Sequence, residues 1–320
     1  MPLLDDDFRP ALGLSDGHAQ TLFGVVARRP VKLPVRRERL DTPDGDFVDV
    51  DVLAGEVGAP TVLVLHGLEG STQSGYVQQV LAGLAARRWG GVALNFRGCS
   101  GVPNRHAASY SSGDVRDARW LLSRLPGPKA AVGFSLGASV LLNLLAKDGE
   151  AVGVFAAAAV STPFELAAGA RFLDSAEPFA RVYLNNFLPT LKQKALEKAA
   201  RFPDVLDAEA IARTRTIRDF DHLVTARLFG FASAEDYYAQ CSSGPQLSRL
   251  TTPTLLISAE DDALAPAKTL PPDAHRRDAL HVLRTNAGGH VGYVAGSVLK
   301  PRFWAEARVL DWLEARLRSA

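Results

Sequence analysis

The sequence predicts an α/β protein, a mostly parallel central sheet flanked by helices with a helical cap inserted into it, and three observations predict this. From residue 61 onward, apolar runs of strand length alternate with helix-length stretches at intervals of about 30 residues, the signature of right-handed β-α-β units. One apolar run, 130–132, enters Gly133-Phe134-Ser135-Leu136-Gly137, and a helix-forming stretch, 138–146, leaves it. Between 161 and 247 the alternation stops, and helical, aromatic-rich sequence takes over.

Taken in order, residues 1–34 are rich in turn formers and carry Gly17-His18-Ala19-Gln20-Thr21-Leu22. They are expected to form an N-terminal arm on the main body. Residues 35–40 and 46–53 flank Thr42-Pro43-Asp44-Gly45, and the second run alternates Phe47, Val48, Val50 and Val52 with aspartates. That pattern predicts an antiparallel hairpin of two half-buried strands. Residues 61–65 are continuously apolar, as in a strand buried on both faces. Residues 76–88 repeat Val77, Val80, Leu81 and Leu84 at helical spacing. A strand at 91–96, a helix at 115–125, the serine-bearing strand with its helix, and a strand at 151–159 complete the first half. Within 163–247, helices are predicted at 181–201, 207–213 and 234–240. The sheet resumes at 253–258 and 281–284, and an amphipathic helix at 303–317 closes it. The whole of 1–320 reads as one domain, with 161–247 as an insertion.

Composition excludes several classes. Of 320 residues, 47% are hydrophobic and 22% charged, the make-up of a globular protein with a full-sized core. With 36 basic against 35 acidic residues, no charge excess points to nucleic acid or an acidic membrane surface. Cys99 and Cys241 form neither a disulfide framework nor a metal cluster. Residues 1–7 are acidic where a secretory signal would be basic. The longest small-apolar run, 151–160, is far short of the roughly 20 residues that span a membrane. A cytoplasmic protein with no membrane span is expected.

The chemistry follows from the serine. In G-x-S-x-G the flanking glycines make room where a Cβ would collide, and the turn presents the hydroxyl at the carboxyl edge of the sheet. A serine hydroxyl is a weak nucleophile near neutral pH, so it needs a base, and the base needs an orienting acid. Both should lie in loops at the carboxyl ends of later strands. After the 253–258 strand comes Ala259-Glu260-Asp261-Asp262-Ala263-Leu264-Ala265-Pro266. After 281–284 comes Asn286-Ala287-Gly288-Gly289-His290-Val291-Gly292. This is the serine, acid, histidine order of α/β hydrolases. His290 is the candidate base, with Gly288 and Gly289 letting its ring approach the serine. Asp262 is the candidate acid, from its four-residue spacing to Pro266, and Asp261 is the alternative. Candidate oxyanion donors are the amides of Leu136, after the serine, and Leu68 in the loop His66-Gly67-Leu68-Glu69-Gly70, with Gly67 part of that substrate-binding turn. His66 is expected to order this loop, Glu69 to be an ion-pair residue, and Cys99 to be structural. No P-loop, dinucleotide motif or metal-spaced pair appears, so no cofactor and no metal are expected.

The chain resembles the YheT-like branch of the α/β-hydrolase superfamily, related to eukaryotic α/β-hydrolase-domain lipases and yeast medium-chain ester synthases/esterases. The resemblance covers most of the chain. It rests on Gly17-His18-Ala19-Gln20-Thr21, Leu65-His66-Gly67-Leu68-Glu69-Gly70, Asn95-Phe96-Arg97-Gly98-Cys99-Ser100-Gly101 with Pro103-Asn104, and Tyr110-Ser111-Ser112-Gly113. It continues through the serine pentapeptide, Asp261-Asp262 and Gly289-His290-Val291-Gly292. It implies hydrolysis of carboxylic esters with short- to medium-chain, apolar acyl groups, with Ser135, Asp262 and His290 as a catalytic triad. An acyltransferase using the same acyl-enzyme and a silent binding protein on the same frame are the rival readings. The oligomeric state is not legible.

Overall fold

The computed structural model describes residues 7–319; the acidic first residues of the arm, 1–6, and residue 320 lie outside it. The hairpin comes first: β1 (Val35–Asp41) runs antiparallel to β2 (Phe47–Leu53). The alternating pattern predicts two half-buried strands, but β2 is buried almost throughout, because its other edge pairs antiparallel with β4 (Gly90–Asn95). Its inward aspartates are tolerated by pairing. Arg39, opposite Asp49, donates from Nε and Nη2 at 2.8 Å each, and Arg37, opposite Asp51, donates to both carboxylate oxygens. A buried carboxylate without such donors would be expelled.

The remaining strands are β3 (Thr61–Leu65), β5 (Lys129–Phe134), β6 (Val154–Val160), β7 (Thr254–Ala259) and β8 (Leu280–Thr285). The sheet order is β1-β2-β4-β3-β5-β6-β7-β8, parallel from β4 onward. Side chains alternate between two cores, as period-two geometry requires. Leu63 and Leu65 face the side covered by α3 (Arg116–Arg124) and α4 (Leu136–Asp148); Val62 and Val64 face α2 (Gly75–Ala86) and α11 (Trp304–Leu317). The strand order reverses about β3, whose neighbours are β4 and β5, which opens a crevice at the carboxyl edge where ligands bind in such sheets.

Between β6 and β7 the chain is helical: α5 (Leu166–Leu173), α6 (Pro178–Arg201), α7 (Ala208–Arg213), α8 (Ile217–Phe220), a π turn at Asp221–Thr225, α9 (Ala226–Phe229) and α10 (Ala234–Cys241). These helices share an apolar cluster of their own, including Tyr183, Ile211, Phe220 and Tyr237. Pro178 opens α6 at a position where the missing N–H is no loss.

Three features were not read from the sequence. The arm contains a helix, α1 (Gly17–Ala27), capped by Asp16, whose Oδ1 accepts the Ala19 N–H at 2.9 Å. A short hairpin, β9 (Val294–Gly296) with β10 (Pro301–Phe303), precedes the closing helix, so Phe303 ends a strand rather than starting that helix. Arg28, just past α1, is buried: its Nε donates to Glu306 of α11 at 2.7 Å, Nη1 to the Gly24 carbonyl, and Nη2 to those of Val291 and Gly292 at 2.9 Å. The same side chain lies over the Phe303 ring.

Removing one partner of a buried ion pair strands the other. Arg28→Met should therefore lower stability by about 3–5 kcal/mol. Urea unfolding should show Arg28→Met with Glu306→Leu losing less than Arg28→Met alone.

Candidate active site

Ser135 sits between β5 and α4 with φ 52° and ψ −120°, a backbone conformation few non-glycine residues adopt. Such strain is worth on the order of 1–3 kcal/mol and persists only when neighbours enforce it. Here they do. The Ser135 N–H donates to the Val160 carbonyl of β6 at 2.9 Å, and its own carbonyl accepts from Ala138 and Ser139 in the first turn of α4. A Cβ on Gly133 would lie 2.5 Å from the Gly137 carbonyl, and one on Gly137 would lie 2.4 Å from that of His66. Only glycines let strand, turn and helix close this tightly.

The serine hydroxyl lies 2.8 Å from Nε2 of His290, and Nδ1 of the same ring lies 2.9 Å from Oδ2 of Asp262. Asp262 is fully buried, and its Oδ1 accepts from the Leu264 and Ala265 amides at 2.9 and 2.8 Å. Two amide donors on one oxygen fix the direction in which the carboxylate points. Asp261, the alternative acid, turns away from the ring: its Oδ1 accepts the Gly289 N–H at 2.8 Å, and burial pushes its carboxyl up.

The loop after β3 lies beside the serine because Leu65 pairs with Gly133 across the two strands. Two tyrosines hold it. The Gly67 N–H donates to the Tyr76 hydroxyl at 2.9 Å, and the Glu69 N–H donates to that of Tyr110 at 3.0 Å. Gly67 therefore touches the serine (a Cβ there would meet that of Ser135 at 3.1 Å), but its amide is already engaged and is not a free oxyanion donor. The Leu68 amide falls between these two anchors. Leu136 opens α4, so its N–H is among those with no intrahelical acceptor. His66 is wholly buried: Nδ1 donates to the Gly67 carbonyl at 2.7 Å, and Nε2 accepts the Phe96 N–H at 3.1 Å. Burial pulls its pKa down to about 4, so the ring is neutral. Glu69 accepts from Lys194 of α6 at 2.9 Å, and the Cys99 thiol is buried 3.7 Å from the same ammonium.

The Gly17-His18-Ala19-Gln20-Thr21 motif of the arm belongs to this site, a role the sequence reading lacked. The Thr21 hydroxyl accepts the His290 N–H at 2.8 Å and donates to the Gly17 carbonyl. The Gln20 amide donates to the Val294 and Leu14 carbonyls and accepts the Val294 N–H. His18 stacks on Phe179 of α6 with centroids 4.0 Å apart and bonds the Tyr183 hydroxyl. Of the glycines before His290, one serves this contact: a Cβ on Gly289 would lie 2.0 Å from the Gly17 carbonyl, whereas one on Gly288 would meet the Tyr293 ring at 2.6 Å. Gly289 thus admits the arm helix, and Gly288 admits Tyr293.

Ser135, His290, Leu68 and Leu136 open onto a cavity of about 160 Å³. Leu173, Ile217, Phe220 and Val224 give it apolar walls, while Lys198, Ser111 and Asp221 are polar points in the lining. Asp221, in the π turn, accepts from Thr225 and Tyr238, and burial pushes its carboxyl up to about 6.

A serine elbow, a histidine and a buried carboxylate at the edge of this sheet define an α/β hydrolase. A family model described as the alpha/beta hydrolase fold matches residues 60–296. YheT of Escherichia coli (strain K12) is 41% identical over 98% of this chain and 94% of its own length. The monoacylglycerol lipase of Saccharomyces cerevisiae (strain ATCC 204508 / S288c) is 31% identical over 87% of this chain and 67% of its own. Among solved structures, the Pyrococcus furiosus esterase Pf2001 aligns with a TM-score of 0.57 over 89% of this chain and 92% of that one, at 15% identity, a likeness of fold. The chain belongs to the α/β-hydrolase family, in its YheT-like branch of carboxylic ester hydrolases.

The neutral His66 gives a measurable sign. Its folded pKa of about 4 lies below the roughly 6.5 of an unfolded chain, so the unfolded state binds more protons in between. Its contribution to stability is complete above pH 6.5 and falls, by on the order of 3 kcal/mol, as the pH drops to about 4. Nitrogen chemical shifts at pH 5.5 should show Nε2 of His66 still unprotonated.

Proposed function

We propose that Ser135, His290 and Asp262 form a catalytic triad and that the enzyme cleaves carboxylic esters of short- to medium-chain acyl groups through an acyl-enzyme on Ser135. The observation that carries this is the unbroken chain of contacts from Asp262 through His290 to the Ser135 hydroxyl, 2.9 and 2.8 Å, at the mouth of an apolar cavity. Nε2 of His290 takes the hydroxyl proton as Oγ attacks the ester carbonyl. Asp262 keeps the other ring nitrogen protonated and stabilises the imidazolium that forms. The amides of Leu68 and Leu136 receive the developing oxyanion, each worth on the order of 3 kcal/mol. His290 returns its proton to the departing alcohol, and water then releases the acid. About 160 Å³ is small beside the roughly 300–1,000 Å³ of sites for drug-sized ligands, which favours short acyl chains.

The same reading takes the chain as one domain with residues 161–247 as a cap over the site and residues 1–34 as its arm. It places the enzyme in the cytoplasm, in keeping with two buried, unpaired cysteines, Cys99 and Cys241. Among the described residues no helix is long and apolar enough to cross a membrane.

A serine-reactive phosphonate should add once to the protein and not to Ser135→Ala. With 4-nitrophenyl butyrate, Asp262→Asn should lower kcat about ten-thousand-fold, since it holds the wrong tautomer in unchanged geometry. Unimpaired turnover by Ser135→Ala would overturn the reading.

A further inference from the structure

We propose that Lys198 and Ser111 form an anion subsite in the cavity, and that the preferred ester carries a compact negative group, a carboxylate or a phosphate monoester. The proposal rests on the cavity being the ester site.

Two independent observations carry it. Lys198 lies on α6, in the lining that also holds Ser135 and His290. Its ammonium donates to the Ala108 carbonyl at 2.9 Å and, among the described residues, has no carboxylate at ion-pair distance. Lys194, one turn earlier on the same helix face, is neutralised by Glu69. An ammonium has three donors, and a single neutral carbonyl leaves its charge uncompensated. The second observation is Ser111. The residue is only 2% exposed, yet it lines the cavity, and its hydroxyl has no hydrogen-bond partner among the described residues. Buried hydroxyls are seldom left so.

The 108–112 segment links the two residues to one cavity. The Lys198 ammonium is tied to the carbonyl of Ala108, and 109–112 supplies Ser109, Tyr110, Ser111 and Ser112 to the same lining. The far side of the segment is fixed: the Ser112 N–H donates to the Tyr237 hydroxyl, and its carbonyl accepts from Asn143. Burial, with Arg201 and Arg97 in range, pulls the Lys198 pKa down to about 8 against the opposing pull of Asp46. An anion entering the cavity would relieve that desolvated charge and accept from both donors, and such charge-assisted bonds are roughly twice as strong as neutral ones. Elsewhere in the lining, Lys194 is paired with Glu69, Asp221 accepts from Thr225 and Tyr238, and Leu173, Ile217, Phe220 and Val224 are apolar, so none of these selects for an anion.

The negative group can sit on either side of the ester bond, and two matched pairs separate the cases. On the alcohol side, 1-butyrylglycerol 3-phosphate is compared with 1-butyrylglycerol. On the acyl side, monomethyl adipate is compared with methyl hexanoate. Calorimetry on full-length Ser135→Ala measures binding without turnover. The anionic member of at least one pair should bind at least tenfold more tightly. Adding Lys198→Met should cut that advantage at least fivefold, and Lys198→Arg should retain more of it than Lys198→Met. Ser111→Ala, which breaks no existing hydrogen bond, should also reduce it and serves if the lysine variants fold poorly. No preference in either pair, or one that survives both Lys198→Met and Ser111→Ala, overturns the subsite. Charge-dependent binding with no cleavage by the unmodified enzyme would leave the subsite standing and remove the esterase reading instead.

Discussion

The backbone of Ser135 is the constraint on which the rest of the structure depends. A residue at φ 52° and ψ −120° relaxes unless its neighbours leave no alternative, and here three elements leave none. β6 takes the serine N–H, α4 begins on the serine carbonyl, and the loop after β3 presses so close that residue 137 has no room for a side chain. The packing that imposes the strain also sets the hydroxyl at the opening of the strand-order crevice. It leaves the first amide of α4 beside that hydroxyl, free of any intrahelical acceptor.

Bringing a histidine to that hydroxyl is a separate problem. β8, which carries the histidine loop, lies three strands from β5, roughly 14 Å away at normal strand spacing. The loop must return across the sheet edge, and its course is held at many points. Asp261 takes the Gly289 amide, Thr21 that of His290, and Ser161 that of Val291, while Arg28 gathers the carbonyls of Val291 and Gly292. Val291 is β-branched at φ 56°, a conformation that needs such support. Adjacent aspartates thus divide the work: Asp262 faces the ring, and Asp261 holds the backbone that carries it.

The helical segment between β6 and β7 meets the site at two edges. Lys194 reaches Glu69 in the loop after β3, and Phe179 and Tyr183 meet His18 on the arm helix. The helical wall of the cavity is therefore tied to the loop after β3 on one side and to the arm helix that holds the histidine loop on the other. Its inner surface is mainly apolar, with Lys194, Lys198 and Asp221 as its charged points.

Much of this was legible in one dimension because the signals are local. Buried parallel strands read as apolar runs, strand and helix alternate, and an elbow declares itself by glycines around a serine. The parallel register then carries the ends of β3, β5, β7 and β8 to one edge, so the order of Ser135, Asp262 and His290 along the chain already implied their meeting. The burial of β2, the work of the Gly17–Thr21 motif, the engagement of the Gly67 amide and the uncompensated charge of Lys198 were not legible. Each depends on which groups from distant segments meet, and hydrogen-bond pairing and desolvation are properties of that meeting rather than of the residues alone.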